Sequence, residues 1–393
     1  MIVSHKIALS PNNRQATYFA RACGVARFAY NWALAQWQVE YKAGGKPSQQ
    51  SLRKKLNAIK KESFPWMQEV TKCAPQQAIM HLGDAFKNFF AGRAKYPVFK
   101  KKGVHDSFKI DNTQFSVSGS HIRIPKLGLV RMCEALRFAG KIMSATISRT
   151  ADKWHVSIAV EIETPKKAVS ENQRAVGVDL GVKSLAVLST GEAIEGAKPH
   201  KALLGRLRRL SRSLSRKQKG SSNRNKAKKK LARLHAKIAD IRNDALHKLT
   251  TRLTRDFGVI GIEDLNVRGM AKNRCLSRSV MDMGFFEFRR QLMYKAEKQG
   301  CTVVVANRFY PSSKTCSGCG HKLESLSLGV RSWTCGQCGC AHDRDVNAAI
   351  NLRNMAVSST VSACGEEGSG SGLVTRLKPA SGKQEFSVKD TFR

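Results

Sequence analysis

Two cysteine turns constrain the C-terminal third of this chain more tightly than any other feature. Cys316-Ser-Gly-Cys319 is followed, after 15 intervening residues, by Cys335-Gly-Gln-Cys338. Each Cys-x-x-Cys turn lets two thiolates converge on one ion, and two such turns supply the four thiolates of a closed tetrahedral zinc site. A thioredoxin-type redox pair needs only one of them. Residues 311–341 are therefore expected to form a structural zinc ribbon, in which Zn²⁺ stabilises and presents rather than catalyses. Cys340 and His321 are near enough in sequence to serve as alternative ligands, but each breaks the pairwise symmetry. The 11 cysteines are odd in number and scattered, and the opening MIVSHKIALS lacks the apolar core of a signal peptide. A disulfide framework is not expected, and a reducing prokaryotic cytoplasm is, with the protein associated with the nucleoid when bound to DNA.

Charge defines the partner. The 393 residues carry 69 Lys and Arg against 29 Asp and Glu, a formal +40. Such an excess suits a polyanion, because Lys and Arg that neutralise phosphates release condensed counterions. A membrane is not expected, since apolar stretches such as Cys301 to Ala306 fall far short of the ~20 residues that span a bilayer. No small-molecule substrate is expected either. The excess is concentrated: from Lys201 to Arg255 there are 19 Lys and Arg against the two acids Asp240 and Asp244.

Periodicity divides the chain. A strand ends at Ser10-Pro11-Asn12-Asn13, and Phe19, Cys23, Ala26, Tyr30, Leu34, Trp37 and Tyr41 then recur every three or four residues, predicting one long helix. A second helix starts near Ser51. A third starts near Pro75 and should bury Ile79, Leu82, Phe86, Phe89 and Phe90. From Tyr96, YPVFKKKG and the segments that follow it read as strands, so the first ~165 residues predict a small β-barrel or sandwich with a helical insert. Residues 166–172 read as a linker. Beyond them AVGVDLGVKSLAVLST and GEAIEG predict three strands, followed by two long helices with a flexible connector, KQKGSSNRNK. Strands at FGVIGIED and CTVVVANR alternate with helices at FFEFRRQLMYKAEKQG and DVNAAINLRNMA, which implies an α/β sheet. Residues 359–393 turn to Ser, Gly and charge and read as a disordered tail.

Three acids stand out in an acid-poor chain. Asp179 closes the strand Val176-Gly-Val-Asp179, Glu263 closes Val259-Ile-Gly-Ile-Glu263, and Asp345 opens the helix of Asp343-Arg-Asp345-Val-Asn347. Singly they read as a turn Asp, a surface Glu and an N-cap. Together they are what two-metal phosphodiester cleavage requires, carboxylates from separate elements converging on two Mg²⁺ ions, with Mn²⁺ able to replace them.

The order VGVDLGVKSLAVLS, GIEDLNVRGM and CSGCG…WTCGQCGCAHDRDVNAAINL resembles the three split motifs of a RuvC nuclease domain with a zinc ribbon before the last. With YPVFKKKG and IPKLGLV upstream, the chain resembles the TnpB family of transposon-encoded RNA-guided nucleases over residues 1–357. The resemblance implies a multidomain α+β architecture: an N-terminal wedge-type β-barrel (1–12 and 96–165) with a helical recognition insert (13–95), then a RuvC/RNase H-like α/β domain (172–310 and 342–358) carrying the zinc ribbon. It implies Asp179, Glu263 and Asp345 as catalytic ligands of Mg²⁺, with Asp343 and Asp264 supporting them, and Cys316, Cys319, Cys335 and Cys338 as ligands of zinc. It also implies guide RNA and double-stranded target DNA as partners, cleavage beside a short flanking motif, and the basic helix pair as the cradle of the heteroduplex. Lys72, Gln76 and Gln77 are candidates for reading that motif, since Gln pairs with adenine and Lys with guanine in the major groove. Tyr30, Trp32 and Trp37 could stack on bases, although helical spacing favours the core for Tyr30 and Trp37. The basic stretch Asn266 to Gly284 is expected to be a loop-like lid. Two other classes stay open: a guide-independent nuclease or transposase, and a non-cleaving zinc-ribbon repressor that binds nucleic acid.

Overall fold

The computed structural model describes residues 1–163, 174–327 and 329–364. The expected linker at 166–172 and the tail beyond 364 lie outside the described residues. The chain divides into two compact units near residue 164.

In the first unit, β1 (Ile2–Leu9) leads into α1 (Asn13–Lys42). A reciprocal cap starts that helix: Asn12 Oδ1 accepts the Gln15 N–H at 2.9 Å and Gln15 Oε1 accepts the Asn12 N–H at 3.0 Å. Phe19, Cys23, Ala26, Tyr30 and Leu34 are buried as the spacing predicts, and the Trp37 ring stacks on Phe86 with centroids 4.1 Å apart. Tyr30 is thus a core residue, and Trp32 and Trp37 are both half-buried against the same core. After α2 (Gln49–Ile59) comes α3 (Cys73–Phe90), which buries Ile79, Leu82 and Phe86. Phe90 departs from expectation and is 64% exposed, because it is the last helical residue and no element packs beyond it.

Residues 96–101 form no strand, contrary to expectation. The Asn31 side chain takes up the backbone there instead, accepting the Lys100 N–H at 2.8 Å and donating to the Lys100 carbonyl at 3.0 Å. The strands that do form are β2 (Ser107–Asp111), β3 (Ser116–Ser118), β4 (His121–Ile124), β5 (Gly128–Arg131), β6 (Lys141–Thr150) and β7 (Lys153–Glu161). They make one antiparallel sheet in the order β1-β7-β6-β2 and a second in the order β3-β4-β5, linked by a bridge between Leu9 and Met132. No pairing among the described residues closes them into a ring. Both sheets share one core, in which the Phe19 ring lies 5.2 Å from Trp154 and 6.1 Å from Phe108.

The second unit is mixed α/β. Strands β8 (Ala175–Asp179), β9 (Ala186–Leu188) and β10 (Ala193–Ile194) form an antiparallel meander. Helices α4 (Pro199–Ser215) and α5 (Ser222–Asp256) follow as a long pair. Next come β11 (Val259–Ile262), α6 (Val267–Lys272), α7 (Ser277–Met283), α8 (Phe285–Gln299) and β12 (Thr302–Val305). The sheet order is β10-β9-β8-β11-β12, with β8, β11 and β12 parallel. A small hairpin of β13 (Ser332–Thr334) and β14 (Ala341–Asp343) precedes α9 (Arg344–Cys364). The helix therefore runs past residue 359, where the tail was expected to begin.

Two more expectations need correction. The connector between α4 and α5 is short, because Ser221 Oγ accepts the Arg224 N–H at 3.1 Å and starts α5 inside KQKGSSNRNK. The 266–284 stretch is not a loop. It holds α6 and α7 and is anchored by buried Val280, Asp282 and Met283. The Asp282 carboxylate accepts the His200 and Lys201 N–H groups at 3.0 Å each, capping the start of α4.

Candidate functional site

Side-chain alternation builds the site. Along β8, Val176 and Val178 are buried on one face, so Gly177 and Asp179 share the other. Along β11, Ile260 and Ile262 are buried on one face, so Gly261, and Glu263 just past the strand end, share the other. The register pairs Val178 with Ile262, which sets Asp179 level with Glu263. Helix α9 lies on that second face in direct backbone contact. A Cβ on Gly177 would sit 1.8 Å from the Ala349 carbonyl oxygen, and one on Gly261 would sit 2.2 Å from that of Leu352. The two glycines thus admit the helix, and Asp345, one turn before Ala349, reaches the strand ends.

The electrostatics agree with that placement. Burial, and then the neighbouring charges of Glu263 and Asp345, push the Asp179 carboxyl up to about 8, with Arg344 and Arg331 opposing the shift. Two carboxylates whose charge raises a third, buried one form a set of hard oxygen donors that a divalent cation would relieve. Ser312 Oγ donates to Glu263 Oε1 at 2.5 Å and fixes that carboxylate. Arg331 Nη1 lies 3.4 Å from both oxygens of Asp345.

The two neighbouring acids have other work. Asp343 Oδ1 accepts the N–H groups of Asp345 and Val346 at 3.0 Å each, so it caps α9 and sets the direction of Asp345. Asp264 is clamped by Arg289 and, at 2.7 Å, by Arg308. Burial pushes its carboxyl up, but those two arginines outweigh burial and hold it below the usual range.

The cysteines converge. The sulfur atoms of Cys316, Cys319, Cys335 and Cys338 all lie within 4.8 Å of one another. The Cys316–Cys338 and Cys319–Cys335 pairs are 3.6 Å apart, close to the ~3.8 Å separation that four sulfurs at about 2.3 Å from a tetrahedral ion would have. Each turn closes the same way. Cys316 N–H donates to the His321 carbonyl at 2.8 Å and Cys335 N–H to that of Cys340 at 2.9 Å, while Gly320 and Gly339 take φ of +79° and +72°. His321 and Cys340 thus contribute backbone to the turns. The imidazole at the cluster is His342, whose Nε2 lies 3.0 Å from Cys316 Sγ.

Two residues that sequence reasoning missed join the cysteine cluster to the carboxylates. On the buried side of α9, Asn347 Oδ1 accepts the Ser317 N–H at 2.9 Å and its Nδ2 donates to the Thr315 carbonyl at 2.8 Å. Asn351 Nδ2 donates to the carbonyls of Ser312 at 2.8 Å and Thr315 at 2.6 Å. The first cysteine turn, Ser312 on Glu263 and the helix bearing Asp345 are therefore one hydrogen-bonded piece. The signal was present, since two asparagines four apart in an apolar helical run demand polar partners when buried.

In the other unit, Lys72 is exposed at the start of α3, Gln76 is half-buried, and Gln77 is only 6% exposed and turned into the core. On the long helix pair, Arg209, Arg212 and Arg216 line one exposed hollow of α4 together with Gly205.

Comparison with known proteins covers most of the chain. The families described as "Helix-turn-helix domain", "Probable transposase" and "Cas12f1-like, TNB domain" match residues 1–46, 157–274 and 285–352. A Streptomyces pristinaespiralis protein named "Putative RNA-guided DNA endonuclease" is 40% identical over 369 residues, covering 92% of this chain and 90% of its own. The Escherichia coli K12 protein named "Putative RNA-guided DNA endonuclease InsQ" is 35% identical, covering 92% and 93%. Among solved structures, a Cas12f1–sgRNA–target DNA complex is similar in fold, with a TM-score of 0.55 at 15% identity, covering 87% of this chain and 83% of that one.

Proposed function

The chain belongs to the TnpB family, and on that footing we propose that it is an RNA-guided DNA endonuclease, cutting target DNA beside a short flanking motif. The observation that carries the reading is that Asp179, Glu263 and Asp345, drawn from two strand ends and a helix start, lie near enough for the charges of the last two to raise the buried Asp179 carboxyl, in a chain with a net charge of +40.

In this reading the three carboxylates hold two Mg²⁺ ions, for which Mn²⁺ can substitute. The chemistry such ions supply is activation of water for in-line attack on a phosphodiester and stabilisation of the leaving 3′ oxygen. Around them, Ser312 fixes the Glu263 rotamer and Asp343 fixes the first turn of α9, so the carboxylates are positioned before substrate arrives. The four cysteines hold one structural Zn²⁺ and, through Asn347 and Asn351, brace that turn. Guide RNA and double-stranded target DNA are the partners: pairing with the guide selects sequence, while α4 and α5 offer their basic faces to the phosphate backbone. Lys72 and Gln76 are the side chains proposed to read the flanking motif. Gln77 is left out because it is buried. The two antiparallel sheets of the first unit correspond in this reading to a wedge-type barrel, and α1 to α3 to its recognition insert.

The test is Asp179→Ala. Protein purified with its bound RNA should cut matching DNA in Mg²⁺, and the variant should keep the RNA and lose cutting by at least a hundredfold. Undiminished cutting would remove the metal-site assignment. Cutting that survives removal of the RNA would favour a guide-independent nuclease, and tight binding without any metal-dependent cutting would favour a repressor.

A further inference from the structure

Beside the carboxylates lies a cavity of about 280 Å³ that the cleavage chemistry does not use. Glu263 forms part of its wall and Leu180, the residue after Asp179, another part, so it adjoins the candidate site. Its lining is otherwise largely apolar, from Leu180, Leu265, Val267 and the ring of Phe286. Helix α8 explains why Phe286 is odd. Its neighbours Phe285 and Phe288 are 2% and 0% exposed and belong to the core, whereas Phe286 is 70% exposed. A large aromatic held in water gains nothing for folding, yet here it stands at a cavity that Glu263 also lines. The guanidinium groups of Arg289 and Arg308, both pinned by Asp264, and Arg268 supply positive charge around the same cavity.

We propose that this cavity holds one unpaired nucleobase of the DNA strand being cut, stacked on Phe286 and adjacent to the scissile phosphate, with Arg268, Arg289 and Arg308 facing the flanking backbone. The proposal deepens the nuclease reading and rests on it. The cavity lies just below the roughly 300–1,000 Å³ of drug-sized pockets, which suits a single planar ring system rather than a larger ligand. A base inside a duplex is covered on both faces and cannot enter, so the subsite selects strand that is already separated or locally melted. Stacking on an aromatic face tolerates any base, in keeping with a protein that leaves sequence choice to a guide. Asp264 is then a positioning residue, since it holds two arginines at the rim instead of binding metal.

The experiment uses the full chain with its co-purified RNA in Mg²⁺. Target duplexes carry a single abasic site at each of the positions flanking the scissile phosphate, and cleavage is measured in single turnover. One abasic position should slow the wild-type protein roughly tenfold. Phe286→Ala should slow cutting of the intact strand by a similar factor and remove the penalty at that position, Phe286→Trp should restore both, and Phe286→Leu should behave as the alanine variant. A flat abasic scan in wild type, wild-type rates for Phe286→Ala on intact strand, or an unchanged abasic penalty in that variant would each overturn the subsite. Absence of cutting by the wild-type protein on every target would instead overturn the nuclease reading beneath it. Because Phe286 is so exposed, these variants leave the core intact, and unchanged thermal melting checks this.

Discussion

At the scale of single residues, absence of a side chain matters as much as the acids. The motifs around Asp179 and Glu263 each contain a glycine two positions earlier, which leaves the backbone there without a Cβ. The structure shows what approaches it: α9 itself, with main-chain atoms where Cβ atoms would be. Gly177→Ala is therefore expected to force α9 off the sheet. The cost should be about 1–3 kcal/mol or more of overpacking, a fall of several degrees in Tm, and loss of cutting because Asp345 moves with the helix. Gly205→Ala is the control. Its Cβ meets nothing within 4 Å, and it should leave Tm unchanged or raise it. Asn347 and Asn351 were legible as helical residues but not as braces, because their partners are main-chain groups 30 to 39 positions away.

At the scale of elements, the ribbon and α9 behave as one device. The pairwise cysteine spacing picked out the four converging sulfurs unaided, since each turn is local and its geometry is set by a few consecutive residues. Its consequence for the carboxylates was not local. Removing zinc with a chelator should free the first turn, release Asn347, Asn351 and Ser312 together, and loosen both Glu263 and Asp345. Cutting measured in excess Mg²⁺ should then fall and recover on adding Zn²⁺. If activity is unaffected, the ribbon does not brace the site. Local pattern misled where another element supplied the partner. Residues 96–101 look like a strand, but Asn31 takes their hydrogen bonds, and 266–284 looks like a loop, yet it buries Val280 and Met283 and caps α4 through Asp282.

At the scale of the whole molecule, charge sets the terms of binding. With a net charge of +40, affinity for any nucleic acid should fall steeply with salt. Replacing Arg209, Arg212 and Arg216 together with Gln should reduce the slope of log K against log salt by about three for a duplex, if each meets one phosphate. A slope unchanged in filter binding would place the nucleic acid elsewhere. Among the described residues no helix is long and apolar enough to cross a membrane.

By itself the sequence determined whatever depends on neighbours along the chain. Helix faces came from a period near 3.6, strands from a period of two, the four converging cysteines from two Cys-x-x-Cys turns, and the acids from their motifs. Only the tertiary structure decided which surfaces meet: that α9 rests on Gly177 and Gly261, that Asp264 serves two arginines and Asp343 an N-terminus, and that Phe286 stays in water beside a cavity. The physical reason is range. Dihedral preference and side-chain alternation act over a few residues, whereas the packing that aims the carboxylates joins Ser312 to Glu263 across 49 residues and α9 to Gly177 across 172.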